Sequence, residues 1–120
     1  GKPYLTGDVE IVEQEPVTDA ACALMPRAQE LFDGYLKTYL AMGDQWTRGV
    51  ALPEDPAEAA DYIAARTDAG TENKQRWLEE LSPESRLTQE IAFMAGELPD
   101  MRVRLAARLH VKTAGFAVLN

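Results

Sequence analysis

Three helix starts crowd into the stretch Leu52–Met94, and each carries its own punctuation. Asp55 stands before Pro56, Thr71 before Glu72, and Ser82 before Pro83 and Glu84. A side-chain oxygen ahead of a new helix satisfies N–H groups that have no partner inside it. Proline at the first helical position loses no hydrogen bond there. The spacing predicts helices from Pro56 to about Arg66, from about Glu72 to Leu81, and from Ser82-Pro83 onward. Starts so close together leave room only for short loops, so the helices must pack on one another.

A longer helix is expected upstream, capped by Asp19 and running to about Met42, with Gly43 as its stop. Leu24, Ala28, Leu31, Phe32, Tyr35, Leu36, Tyr39 and Leu40 recur at spacings of three and four, a wide apolar stripe for a well-buried helix. Pro26 removes a bond to the Cys22 carbonyl, which predicts a kink or a split. Residues 43–54 read as a loop containing Trp46. The helix after it has a face of small residues, Ala57, Ala60 and Ala64 around Ile63, that admits a close neighbour. Trp77, Leu78 and Leu81 form the stripe of the third helix. Leu87, Ile91, Met94, Ala95 and Leu98 form that of the fourth. Pro99 is expected to stop or kink it, with Met101, Leu105 and Leu109 continuing in a fifth segment.

Residues 3–16 alternate instead. Leu5, Val9 and Ile11 fall on one face and Thr6, Asp8 and Glu10 on the other, the pattern of a half-buried strand ended by Pro16. A lone strand leaves its backbone groups unpaired, so its partners belong to a missing sheet or to a second copy. The reading is a mainly α chain: a bundle of four to five helices at residues 18–109, preceded by one N-terminal β-strand at 1–17. Residues 110–120 form a tail expected to fray.

Charge narrows the partners. The net charge is −8; residues 1–60 hold 11 acids and 4 bases, whereas 61–120 hold 9 and 8. An acidic chain repels nucleic acid. Arg102, Arg104, Arg108 and Lys112 near the end read as a solvated helix face. No apolar run reaches the ~20 residues of a membrane span, and no secretory leader opens the sequence. The single cysteine, Cys22, allows no internal disulfide and fits a reducing, cytoplasmic setting.

No constellation for catalysis emerges. Lys112-Thr113 lacks the glycines of a phosphate-binding loop. One His and one Cys do not make a zinc site, so no metal and no cofactor is expected. His110 is the only imidazole available to a triad and lies in the tail. Cys22, among alanines, reads as a packed residue. The acid pairs Glu54-Asp55 and Glu79-Glu80, and Asp61, sit at helix starts or on outward faces, where capping and solubility account for them. Tyr39, Met42 and Trp46 gather at the end of the first long helix and in its following loop. They are the candidate apolar contact site for a protein partner, against the simpler reading that Trp46 closes over the bundle.

Taken in order, these segments resemble the C-terminal part of the Lon protease N-terminal domain, the Lon substrate-binding domain. Pro3-Tyr4-Leu5 through Val9-Glu10 is similar to the closing strand of its β-subdomain. Ala23-Leu24-Met25, Glu30-Leu31-Phe32 and Tyr35-Leu36-Lys37 are similar to its first long helix. Asp55-Pro56, Ala60-Asp61 and Ile63-Ala64-Ala65 resemble the next helix. Glu72, Lys74-Gln75, Leu78-Glu79 and Leu81 resemble its short one, and Glu84, Arg86 and Leu87 the start of its last. The resemblance covers roughly residues 3–95. It implies a non-catalytic module that engages unfolded or partly folded substrate proteins for ATP-dependent proteolysis and quality control. ATP hydrolysis and Ser–Lys proteolysis belong to later domains of such proteases. The uncharged ending Ala114–Asn120 departs from the charged continuation of the full protease and favours a stand-alone relative, or a trimmed form, over a simple slice of the full protease. The alternative is a structural role, with self-association through strand pairing of residues 3–15.

Overall fold

A computed structural model describes residues 16–119, with side chains as far as Val111. The predicted strand at 3–15 lies outside the described residues, and no strand occurs among those described. Among the described residues four helices follow one another: α1 (Asp19–Met42), α2 (Pro56–Arg66), α3 (Thr71–Glu79) and α4 (Pro83–Leu119).

The helix starts follow the punctuation with two shifts. Asp55 accepts from the Glu58 N–H at 3.0 Å, and Ser82 Oγ accepts from the Ser85 N–H at 3.2 Å. Glu80 adds to the second cap, accepting from the Ser82 N–H and the Ser85 hydroxyl, which holds its carboxyl below the usual range. For α1 the cap is Thr18, whose hydroxyl accepts from Ala21 at 3.1 Å, and Asp19 is the first helical residue. For α3 it is Gly70, at φ +85°, and Thr71 lies inside the helix. That left-handed backbone is open to glycine and strained for threonine.

Neither internal proline ends its helix. Pro26 lies within α1 and Pro99 within α4, so the expected fifth segment is the continuation of α4. Residues 110–119, read as a tail, belong to the same helix, which runs 37 residues, about 55 Å at ~1.5 Å per residue. Each proline removes one backbone bond from a helix that keeps many others, and α1 packs along α4 over the region that contains both.

The α1–α4 seam carries the core. Ala28, Leu31, Phe32 and Tyr35 of α1 meet Leu87, Met94, Leu98 and Met101 of α4, with Ala59, Ala60 and Ile63 of α2 closing the third side. The two long helices run in the same direction: Gly34 lies against Leu98 and Arg102, and Asp44, just past α1, binds Arg108 at 2.8 Å. The chain must therefore travel back between them, and the 43–55 loop with α2 and α3 makes that return. Tyr35 ties the return to α1, its hydroxyl accepting from the Asp68 N–H at 3.0 Å. Trp77 forms a second small core with Ala64 and Ala69, edge-on to Phe93 at 5.6 Å. Only Trp77 of the predicted α3 stripe is buried; Leu78 is 64% exposed and Leu81 36%. Cys22 is exposed rather than packed. It lies ~100° around α1 from the buried Ala21.

Between α2 and α4 sits a buried charged group that the pattern did not announce. Arg86 is 2% exposed and Glu90 fully buried, one turn apart on α4. Arg86 Nη1 reaches Asp61 Oδ1 of α2 at 2.7 Å. Its Nε and Nη2, and both carboxyl oxygens of Glu90, have no hydrogen-bond partner among the described residues. Burial pushes the Glu90 carboxyl up from 4.5 to about 9, Arg86 pulling against that and Asp61 adding to it. A carboxyl with no donor to its oxygens is held neutral more cheaply than charged.

The folded state thus keeps a proton that the unfolded chain releases near pH 4.5. Stability from the neutral form is full below that pH and is lost as pH rises toward 9. Melting temperature is expected to fall between pH 5 and pH 8 in the wild type, and Glu90→Gln is expected to flatten that slope and be the more stable protein at pH 8. Equal slopes in thermal melts of the two would place the ionisation elsewhere. Trp77→Ala is expected to cost about 3–5 kcal/mol in denaturant unfolding.

Candidate functional site

The loop between α1 and α2 is long for a small bundle, and several side chains pin it. Gln29 of α1 grips it twice: its Nε2 donates to the Val50 carbonyl at 2.9 Å, and its Oε1 accepts from the Leu52 N–H at 2.7 Å. One amide side chain here does what a neighbouring strand would do. Leu52 enters the core beside it. Gly49 holds φ +111°, and a Cβ there would overlap the Asp33 carboxylate. The turn can therefore lie against α1 only with glycine at this position. Arg108 of α4 holds the first residues of the loop through Asp44, itself left-handed at φ +61°.

On this pinned loop Trp46 is 77% exposed. It does not close over the bundle. Its ring edges an open groove of about 400 Å³ lined by Lys37, Ala41, Gln45, Thr47 and Arg48. An indole left in water on a loop with fixed ends is the most exposed large apolar side chain among the described residues.

Tyr39 and Met42 lie elsewhere. Tyr39 is 43% exposed and stacks on Tyr35, ring centroids 6.1 Å apart and 7° between planes. Met42, one turn on, is half-buried and packs on the core. Lys37 and Ala41, which flank Trp46, are each two residues from Tyr39 and so about 160° around α1 from it. The three predicted residues therefore form two surfaces: Tyr39 and Met42 on the core-side flank, Trp46 on the opposite one. Sequence adjacency across a helix end carries no information about which side the loop folds to.

A third apolar surface was not foreseen. Ala64 and Ala65 of α2 face Leu78 of α3 across a shallow groove of about 330 Å³, with Asp61 and Lys74 at its rim. The signal for it was present in the small residues of α2 and in Leu78. Trp77, Leu78 and Leu81 form one stripe by spacing, yet a nine-residue helix with Trp77 inward turns Leu78 ~100° away. His110 and Cys22 are both exposed. Among the described residues no group of three or more His, Cys, Asp or Glu could hold a metal ion, and no helix is long and apolar enough to cross a membrane.

Comparison with known proteins adds two findings. Residues 1–96 match the family described as the ATP-dependent protease La (LON) substrate-binding domain. Lon protease 1 of Myxococcus xanthus is 31% identical over 90 residues, 75% of this chain and 11% of that protein. The chain thus spans a small fraction of that relative's length.

The loop geometry separates scaffold from surface. Gly49→Ala is expected to destabilise the protein by about 1–3 kcal/mol through its positive φ and the overlap with Asp33. Trp46→Ala is expected to stay within about 0.5 kcal/mol of wild type. Denaturant unfolding of both variants checks the pair; a large loss from Trp46→Ala would mean that the indole supports the fold.

Proposed function

The chain belongs to the Lon substrate-binding domain family, and from that membership we propose that it is a non-catalytic module that captures unfolded or partly folded polypeptide through exposed apolar side chains. The observation that carries the reading is Trp46, kept 77% exposed on a loop tied down by Gln29 and Gly49. An aromatic anchor on a rigid base loses little freedom when a partner covers it. Burying such a side chain contributes ~1.5–3 kcal/mol. Trp46, with Tyr39 and Met42 on the other flank and the Leu78 groove beyond, supplies several weak contacts rather than one tight pocket. Separated weak contacts suit a flexible chain that presents apolar residues at irregular spacing.

In this reading the bound polypeptide is handed to an ATP-dependent protease when the module is part of one, and is simply retained when it is not. The charge of −8 works with the apolar contacts. It favours basic and neutral segments and discourages acidic ones.

A disordered protein, reduced and carboxymethylated to block its cysteines, provides the test. The full chain is expected to bind it weakly, and Trp46→Ala to weaken binding about tenfold, a loss of ~1.4 kcal/mol. Fluorescence anisotropy reads both. No binding by the wild type overturns the function; unchanged binding by the variant removes Trp46 from the surface.

A further inference from the structure

A second groove lies between α1 and α4, away from the Trp46 loop. It encloses about 190 Å³ and is lined by Arg27, Glu30 and Leu31 of α1 and by Ala95, Leu98, Pro99 and Arg102 of α4. Its rim is polar, and its small apolar floor is the proline ring with the edges of the largely buried Leu31 and Leu98. Two features of its walls are chemically incomplete. Pro99 carries no N–H, so the carbonyl of Ala95, one turn earlier on the same wall, has lost its helical donor. Arg102 makes no hydrogen bond or ion pair with any described residue. Arg27, by contrast, is bound to Glu30 at 3.0 Å.

Arg102 is nevertheless placed. Its Nη2 lies against Gly34 of α1, where an added Cβ would come within 3.2 Å of it and of Leu98. The glycine gives the guanidinium its seat at the groove mouth. Arg27, Glu30 and Arg102 together leave one positive charge at this groove, in a chain of net charge −8. One carboxylate balances it; a doubly charged phosphate would exceed it and would gain nothing from the apolar floor. The volume is below the ~300–1,000 Å³ of small-molecule sites and suits a single side chain.

We propose that this groove receives the C-terminal residue of a polypeptide ending in an apolar side chain. The terminal carboxylate meets the Arg102 guanidinium, the last amide N–H meets the Ala95 carbonyl, and the side chain rests on Leu31, Leu98 and Pro99. Arginine pairs with carboxylates through two parallel hydrogen bonds, and capture of a chain terminus is a known mode of peptide recognition. The proposal rests on the polypeptide-binding reading above and names one class of chain end within it.

The experiment uses the full chain and a hexapeptide, labelled at its N-terminus and ending in leucine, as the free acid and as the C-terminal amide. Anisotropy is expected to show the free acid binding at least about tenfold tighter, the scale of one charge-assisted bond. Arg102→Gln is expected to erase the difference and Arg104→Gln to leave it. Gly34→Ala, which crowds the guanidinium by a few tenths of an ångström, is expected to reduce it only slightly. A free acid ending in aspartate is expected to bind worse than the one ending in leucine. Equal binding of acid and amide overturns the proposal, as does a preference that survives Arg102→Gln. If the disordered protein is captured while acid and amide do not differ, the groove assignment fails and the polypeptide-binding function stands. If neither peptide nor disordered protein binds, both fail.

Discussion

The direction of α4 relative to α1 governs the rest of this fold. Two neighbouring helices that point the same way cannot be joined by a tight turn, because the end of one and the start of the other lie at opposite ends of the pair. The return path here consists of the 43–55 loop, α2 and α3. That path places α2 on the open side of the α1–α4 seam and lets Trp77 build a second core against Phe93. It also stretches the loop along α1, where Gln29 and Gly49 can pin it. The exposed Trp46 is thus a consequence of how the chain gets back to its starting end.

Buried charge at the α2–α4 contact adds a different kind of constraint. Apolar helices slide on one another at small cost, whereas Arg86 must find Asp61 to be tolerated inside. The pair fixes where α2 sits along α4. Glu90, one turn beyond and without a donor among the described residues, is held as the neutral acid. Its burial opposes stability at higher pH, so the contact combines register with a pH-dependent weakness.

The surface follows from the same architecture. Among the described residues, one long helix pair with a shorter pair across it leaves shallow grooves and no deep cleft. Around Trp46, Leu78 and Pro99, apolar surface meets the cations Arg48, Lys74 and Arg102 respectively, none of them ion-paired among the described residues. Under the proposed function, such a surface would gather chain segments by many small contacts.

Helix existence was legible in the sequence because caps act over three residues and apolar stripes repeat every turn. Asp55 before Pro56, Ser82 before Pro83, and the stripe Leu31, Phe32, Tyr35 are local facts, and all appear as read. So was the family, which the order of those local signals carries. Tertiary structure decided what local rules leave open. Pro26 and Pro99 remain inside helices because packing on a neighbour outweighs one lost backbone bond. Leu78 faces water, Glu90 does not, and Trp46 parts from Tyr39 and Met42, because which face is covered depends on where distant segments arrive. A side chain's identity and spacing are written in the chain; its neighbours across the fold are set only when the helices dock.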